Sequence, residues 1–230
     1  MQRLALALLL CSGCSVVHGD GNLVDQPRSV GAFSKVSVSG GLPADIKVGA
    51  ASVVVHIDQN LQAEVSATVE GDTLVIKRAS PSRQISPSSG TIVRIASPRV
   101  EGIDLSGGSR TTALTSSVAT LSLALSGGAT LNASGIQSAQ VNVDASGGST
   151  AVLEGTATGL KISGSGGSHL TSRLPTADLV LDISGGTSVD AKASRSLHAT
   201  ASGGSHATVH GSPTEKVVEE SGGSSVNVGE

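Results

Sequence analysis

Residues 121–133 read Leu121-Ser122-Leu123-Ala124-Leu125-Ser126-Gly127-Gly128-Ala129-Thr130-Leu131-Asn132-Ala133. Leu121, Leu123 and Leu125 alternate with small or polar residues, as in a strand with one dry face. Two glycines follow, and the alternation resumes at Ala129, Leu131 and Ala133. The stretch therefore reads strand, tight corner, strand. Glycine suits such a corner because it reaches positive φ without steric cost and lets neighbouring backbones approach.

The Ser-Gly-Gly at its centre recurs. Copies begin at Ser106, Ser126, Ser146, Ser165, Ser184, Ser202 and Ser221, spaced by 20, 20, 19, 19, 18 and 19 residues. Their corner glycines are Gly107, Gly108, Gly127, Gly128, Gly147, Gly148, Gly166, Gly167, Gly185, Gly186, Gly203, Gly204, Gly222 and Gly223. A fixed period of this length marks a solenoid, whose units bury their apolar faces only by stacking. Val141, Val143, Ala145, then Leu179, Leu181, Ile183, then Leu197, Ala199, Ala201 repeat the inward positions. Glu101, Lys216 and Glu220 interrupt them in the first and last units. Second corners are expected at Ser134-Gly135, Glu154-Gly155, Leu174-Pro175 and Gly211-Ser212-Pro213.

A helical solenoid does not fit. With 30 glycines and period-two alternation, a 19-residue unit has no room for a helix of useful length. The expected fold is all-β: a small, single-stranded parallel β-helix with 18–20-residue coils and a diverged β cap at its N-terminal end. Coils spaced by about 4.8 Å make seven of them roughly 30 Å long. The chain has no Trp, no Tyr and one Phe, so Leu, Val, Ile and Ala must fill a narrow core.

Four segments are expected: a leader over 1–13, a polar tether over 14–31, diverged β coils merging with a cap over 32–100, and regular repeats over 101–230. Met1-Gln2-Arg3 and the apolar run Leu4–Leu10 read as a secretory signal, too short to span a bilayer. Ser12-Gly13-Cys14 resembles the end of a bacterial lipobox, with Cys11 where that motif usually carries Leu. That resemblance implies a lipid on Cys14 and a membrane as partner. Cleavage there leaves a mature chain without a disulfide. An ordinary signal peptide, or a Cys11–Cys14 disulfide in an uncleaved chain, is the competing reading. Ser15 in place of an inner-membrane retention Asp points to the outer membrane of a Gram-negative host.

Within the diverged part, Val36, Val38 and Ser39-Gly40-Gly41 open another coil-like unit. Gly71-Asp72 between two alternating runs suggests a hairpin or corner. Ala79–Gly90, with two prolines and five serines, reads as a projecting loop.

No residues group into a convincing catalytic or metal site, and no cofactor is implied. His169, Ser188 and His206 share an outward row, but two coils separate the histidines by roughly 10 Å, too far for one metal. His206 and His210 lie about 13 Å apart in an extended segment. His56 and His198 have no carboxylate cluster nearby in sequence. The acid pairs Asp182 with Asp190 and Asp144 with Glu154 each straddle a corner. The outward row Asp104, Ala124, Asp144, Ser163, Asp182, Thr200, Glu219 reads as a solvated face, its acids on alternate coils for most of the stack.

Polysaccharide lyases and hydrolases share the fold class, but resemble one another in larger coils and in aromatic and Arg or Lys platforms in a groove, whereas this chain has no Trp or Tyr to stack on sugar rings and only 14% charged residues. A net charge of −3 and the dearth of stacking aromatics argue against nucleic acid as a partner. A phosphate-cradle reading of the Gly-rich corners lacks the Lys and helix of a P-loop. The triplet serines are expected to form hydroxyl ladders along the corner. Glu219, Glu220 and Glu230 should discourage pairing at the β edge near Val226 and Val228, giving a monomer.

The leader, the opening Phe33-Ser34-Lys35-Val36-Ser37-Val38-Ser39-Gly40-Gly41, the run Gly71-Asp72-Thr73-Leu74-Val75-Ile76 and the Ser-Gly-Gly ladder together resemble the head GIN domain family. This group of bacterial envelope proteins carries an auto-transporter adhesin label. The resemblance spans roughly residues 30–228, although family repeats more often carry Gly-Ser-Gly. It implies a non-enzymatic envelope protein acting as an adhesion or surface-structural rod, with a glycan or cell-surface ligand. A periplasmic glycan-binding or scaffolding module is the alternative, and a lyase or hydrolase ranks third. No pattern for the membrane barrel of an autotransporter is present.

Overall fold

The computed structural model describes residues 16–229; Cys14 and the leader lie outside the described residues. The N-terminal part holds β1 (Val16–His18), β2 (Leu23–Arg28), β3 (Lys35–Val38), β4 (Ala44–Val48), β5 (Ser52–Asp58), a 3₁₀ segment Gln59–Glu64, β6 (Val65–Glu70), β7 (Thr73–Arg78), β8 (Gln84–Ser86) and β9 (Ile92–Ser97). Then come β10 (Gly102–Leu105), β11 (Arg110–Leu114), β12 (Ser117–Leu125), β13 (Thr130–Ala145), β14 (Thr150–Gly164), β15 (His169–Ser172), β16 (Asp178–Ile183), β17 (Ser188–Lys192), β18 (Ser196–Ala201), β19 (His206–His210), β20 (Glu215–Glu220) and β21 (Ser225–Gly229).

The coils stack in parallel. The strand before each corner pairs with its counterpart one coil away, as in Leu121↔Val141↔Leu160↔Leu179↔Leu197. These strands build one face, here called the front. The strands after the corners build a second, as in Thr130↔Thr150↔His169↔Ser188↔His206↔Ser225. The solenoid expected from the period is therefore the observed fold. Leu121, Leu123, Leu131, Val141, Leu153, Leu181 and Ala199 are buried, and apart from Phe33 in the N-terminal part the core is aliphatic. Val226 and Val228 in the last coil are only partly buried.

The corners explain their own composition. Both glycines hold positive φ, for instance 66° at Gly166 and 82° at Gly167. Their surroundings differ. A Cβ on the first glycine would press on backbone one coil below, 3.0 Å from the Gly147 nitrogen in the case of Gly166. A Cβ on the second would meet nothing within 4 Å. Chain-wide stacking thus demands glycine at the first place for close approach as well as for φ.

The hydroxyl ladder differs from the expected one. Each triplet serine contributes its backbone amide to the coil below, as in Ser146 N–H to the Leu125 carbonyl. The buried hydroxyls belong to the residue three further on: Ser109, Ser149, Ser168, Thr187 and Ser205. Ser168 and Thr187 donate to the Ser165 and Ser184 carbonyls, and Ser205 and Ser224 reach both their own corner and the previous coil. A carbonyl buried at the corner needs a donor, and an inward hydroxyl supplies it.

The N-terminal part departs from chain order. β3 and β4, joined by Ser39-Gly40-Gly41, form the coil directly beneath β10 and β11. Below that lie β7 and β9, parallel to β3 and β4 although later in sequence. Antiparallel strands close this end: β6 hairpins onto β7 through Gly71-Asp72, while β5 and β2 extend the second face from β9. Leu61 of the 3₁₀ segment is fully buried at this end. One coil, a further parallel pair of strands and antiparallel strands thus make up this end.

Two expectations need correction. The stretch read as a tether includes β1 and β2, and β2 pairs with β5 over its whole length. The segment 79–90 is not wholly loop, since β8 within it pairs with β1. One buried carboxylate joins them. Asp58 accepts the Gly21 and Ser88 amides at 2.8 Å each and the Ser88 hydroxyl at 2.6 Å.

Candidate functional site

The register carries the outward front row from Ser37 through Asp104, Ala124, Asp144, Ser163, Asp182 and Thr200 to Glu219. Its acids Asp104, Asp144, Asp182 and Glu219 are exposed, as a solvated face requires, and the face is hollowed. Small residues at Gly102, Ser122 and Ala124 leave a hollow of about 480 Å³ between Lys35 and Lys161, with Asp104, Asn142 and Asp144 on its floor and walls. A second hollow of about 400 Å³ continues along the same row past Ser126, Ser146, Ser165 and Ser184 to Asp182. Together they form a groove running along the stack. Carboxylates recur there every second coil, roughly 10 Å apart, beside a serine hydroxyl in every coil.

The groove shapes its own electrostatics. Desolvation raises the Asp104 carboxyl above its ordinary value. Lys35 lies 2.9 Å from Asp72. Hydrogen bonding to that carboxylate raises the Lys35 ammonium, and the same bond lowers Asp72. Lys35 therefore closes the groove at the N-terminal side while its charge is matched from the hairpin turn. The groove offers hydrogen-bond acceptors and hydroxyls to a polar, extended ligand, with no aromatic platform.

The other sequence candidates are placed as follows. His169, Ser188 and His206 share a row on the second face. His206 lies against the Ser225 hydroxyl, and His210 is 3.3 Å from Asp190. Asp144 and Asp182 lie on the front, whereas Glu154 and Asp190 lie on the second face, so each acid pair is divided by a corner. His56 does have a carboxylate: β2 brings Asp25 to 2.6 Å from its Nδ1, and Asp25 also binds Arg94 at 2.9 Å. Hydrogen bonds from His56, then Arg94, hold the Asp25 carboxyl below its usual range. Thirty-one residues of sequence separation concealed this contact.

A family model described as "Putative auto-transporter adhesin, head GIN domain" matches residues 32–213. The chain belongs to the head GIN domain family. Several solved structures share the fold of this head GIN protein. A putative adhesin from Bacteroides fragilis superposes with a TM-score of 0.84 at 18% identity, covering 92% of this chain and 99% of its own. A putative lipid binding protein from Parabacteroides distasonis gives 0.72 at 16%, covering 93% and 99%. A putative adhesin from the same species gives 0.68 at 18%, covering 94% and 100%. At such identities the likeness concerns the fold. No curated protein matches the chain significantly.

Proposed function

We propose that this head GIN protein is a lipid-anchored, non-enzymatic rod of the bacterial cell envelope that makes adhesive or surface-structural contacts. The observation that carries the reading is the repetition of outward positions at coil spacing on two long faces. A ligand that itself repeats can engage several coils at once, and avidity then grows with the number engaged. The adhesin description of the family supports an envelope location, and the leader ending just before Cys14 supports a lipid anchor in the outer membrane.

The front groove favours a second reading, a periplasmic glycan-binding or scaffolding module, because hydroxyls and carboxylates in a shallow trough suit sugar hydroxyls. Protease and antibody accessibility on intact and permeabilised cells separates the two. Exposure on intact cells supports the adhesive or coat role; protection supports the periplasmic one. Cys14→Ser should abolish lipid labelling and release the protein from the membrane fraction. Unchanged labelling and membrane association would overturn the anchor.

A further inference from the structure

We propose that the capped end of the stack lies against the bilayer surface and that the coils project away from it, with β20 and β21 outermost. This orientation rests on the lipid anchor at Cys14 and follows from how little free chain lies between that anchor and the fold. A flexible tether over 14–31 would span about 21–25 Å and let the rod take any angle. Instead β1 begins at Val16, so Cys14 lies within about 7 Å of it. The anchor is leashed to one end of the rod.

β8 lies in the connection between β7 and β9, the lowest parallel layer, so β1 beside it belongs to the capped end. It is fastened along its length: Val16, Val17 and His18 pair with Gln84, Ile85 and Ser86. The Gly19 amide donates to the Ser86 carbonyl at 3.0 Å, and the Asn60 side-chain amide donates to the His18 carbonyl at 2.7 Å. Val17 and Ile85 pack on the core, and Asp58 ties Gly21 to Ser88 just beyond. Val16 itself is 43% exposed, one of the few large apolar side chains left outside the core, and it stands two residues from the anchor. Apolar surface beside a lipid chain is accommodated at the headgroup boundary.

Charge favours the same pose. Residues 15–100 hold eight Lys and Arg against seven Asp and Glu, a net of +1, whereas residues 101–230 hold six against eleven, a net of −5. The field of anionic headgroups decays over a Debye length, about 8 Å at physiological salt. A rod lying flat would bring the acidic repeats within that distance along their whole length. An upright rod leaves only the near-neutral cap there, where Arg83, the one charged residue of the segment 79–90, is matched by Glu64.

Energy transfer to the membrane surface is the test. The purified, lipidated full chain is added to vesicles of phosphatidylethanolamine and phosphatidylglycerol carrying a headgroup-labelled acceptor lipid. Donor dyes are placed singly through Ser82→Cys, His169→Cys and Ser221→Cys, all at exposed positions. Transfer should fall in that order, several-fold from Ser82 to Ser221. The front strands succeed one another as β7, β3, β10, β12, β13, β14, β16, β18 and β20, and eight steps of about 4.8 Å make roughly 38 Å. Inserting twelve Gly and Ser residues after Ser15 adds about 17–21 Å of slack and should lower transfer at Ser82 and flatten the order. Equal transfer from all three sites of a chain bound through Cys14, or an insertion without effect, overturns the orientation and leaves the anchor standing. A membrane-bound or soluble chain without lipid on Cys14 overturns both.

Discussion

A Cβ on Gly166 would sit 3.0 Å from the backbone nitrogen of Gly147, one coil below. The same relationship repeats at the first glycine of the neighbouring corners, and it sets how closely the coils stack. The second glycine of each corner, Gly167 here, has open space and needs glycine only for its φ of 82°. Alanine at Gly167 should therefore cost about 1–2 kcal/mol, the penalty of a left-handed conformation. Alanine at Gly166 should cost more, because backbone must shift in two coils. Urea melts of the two variants check this, and equal midpoints would show that coil contact does not limit the corner.

The buried hydroxyl ladder is interrupted at Ala129, which lies at 0% exposure between Ser109 and Ser149 in the stack. Ala129→Ser should restore a donor to the Ser126 carbonyl and raise stability by about 0.5–1 kcal/mol. Ser168→Ala should lower it by about 1 kcal/mol. Differential scanning calorimetry should move the two melting temperatures in opposite directions. A fall in both would mean that the ladder tolerates no substitution and has no vacancy at Ala129.

Acid should loosen the N-terminal end before the repeats. Burial raises the Asp58 carboxyl, but bonds from Ser88 and Gly21 outweigh it and hold the group below its ordinary 3.8. Stability from a depressed carboxylate is complete above the unfolded value and fades as pH falls through the folded one. Amides of residues 17–22 and 84–88 should lose hydrogen-exchange protection below about pH 4. Asp58→Asn should remove that acid step and destabilise the cap at neutral pH by about 1–3 kcal/mol, since its NH₂ opposes the Ser88 amide. An acid step that persists in this variant would assign it to other carboxylates.

Inward and outward positions should respond oppositely to charge. Leu123 and Leu181 are buried at 1% and 0% exposure, so aspartate at either leaves an unpaired charge in an aliphatic core and should unfold the stack. Thr130 faces solvent within the row shared with Thr150, and Thr130→Asp should shift the melting temperature by only a few degrees. Equal melting of all three variants would contradict the observed register.

The corner triplets, the inward leucines and the Gly71-Asp72 hairpin were legible because each depends on contacts that are local or repeat at fixed spacing. Period and alternation define a coil wherever it falls in the chain. The pairing of β7 and β9 beneath β3 and β4 has no such signature, since its strands come later in sequence than the coil they support. Nor has the closure of β1 and β2, where Asp58 satisfies groups 37 and 30 residues away. The groove followed the same division. Its row of acids and serines was visible in the repeat, whereas its depth arises from small residues at Gly102, Ser122 and Ala124 lying close together on two neighbouring strands. Periodicity by itself determined what repeats along the axis. Only tertiary packing decided how the ends are closed, because capping joins segments distant in sequence whose composition differs little from that of an ordinary polar loop.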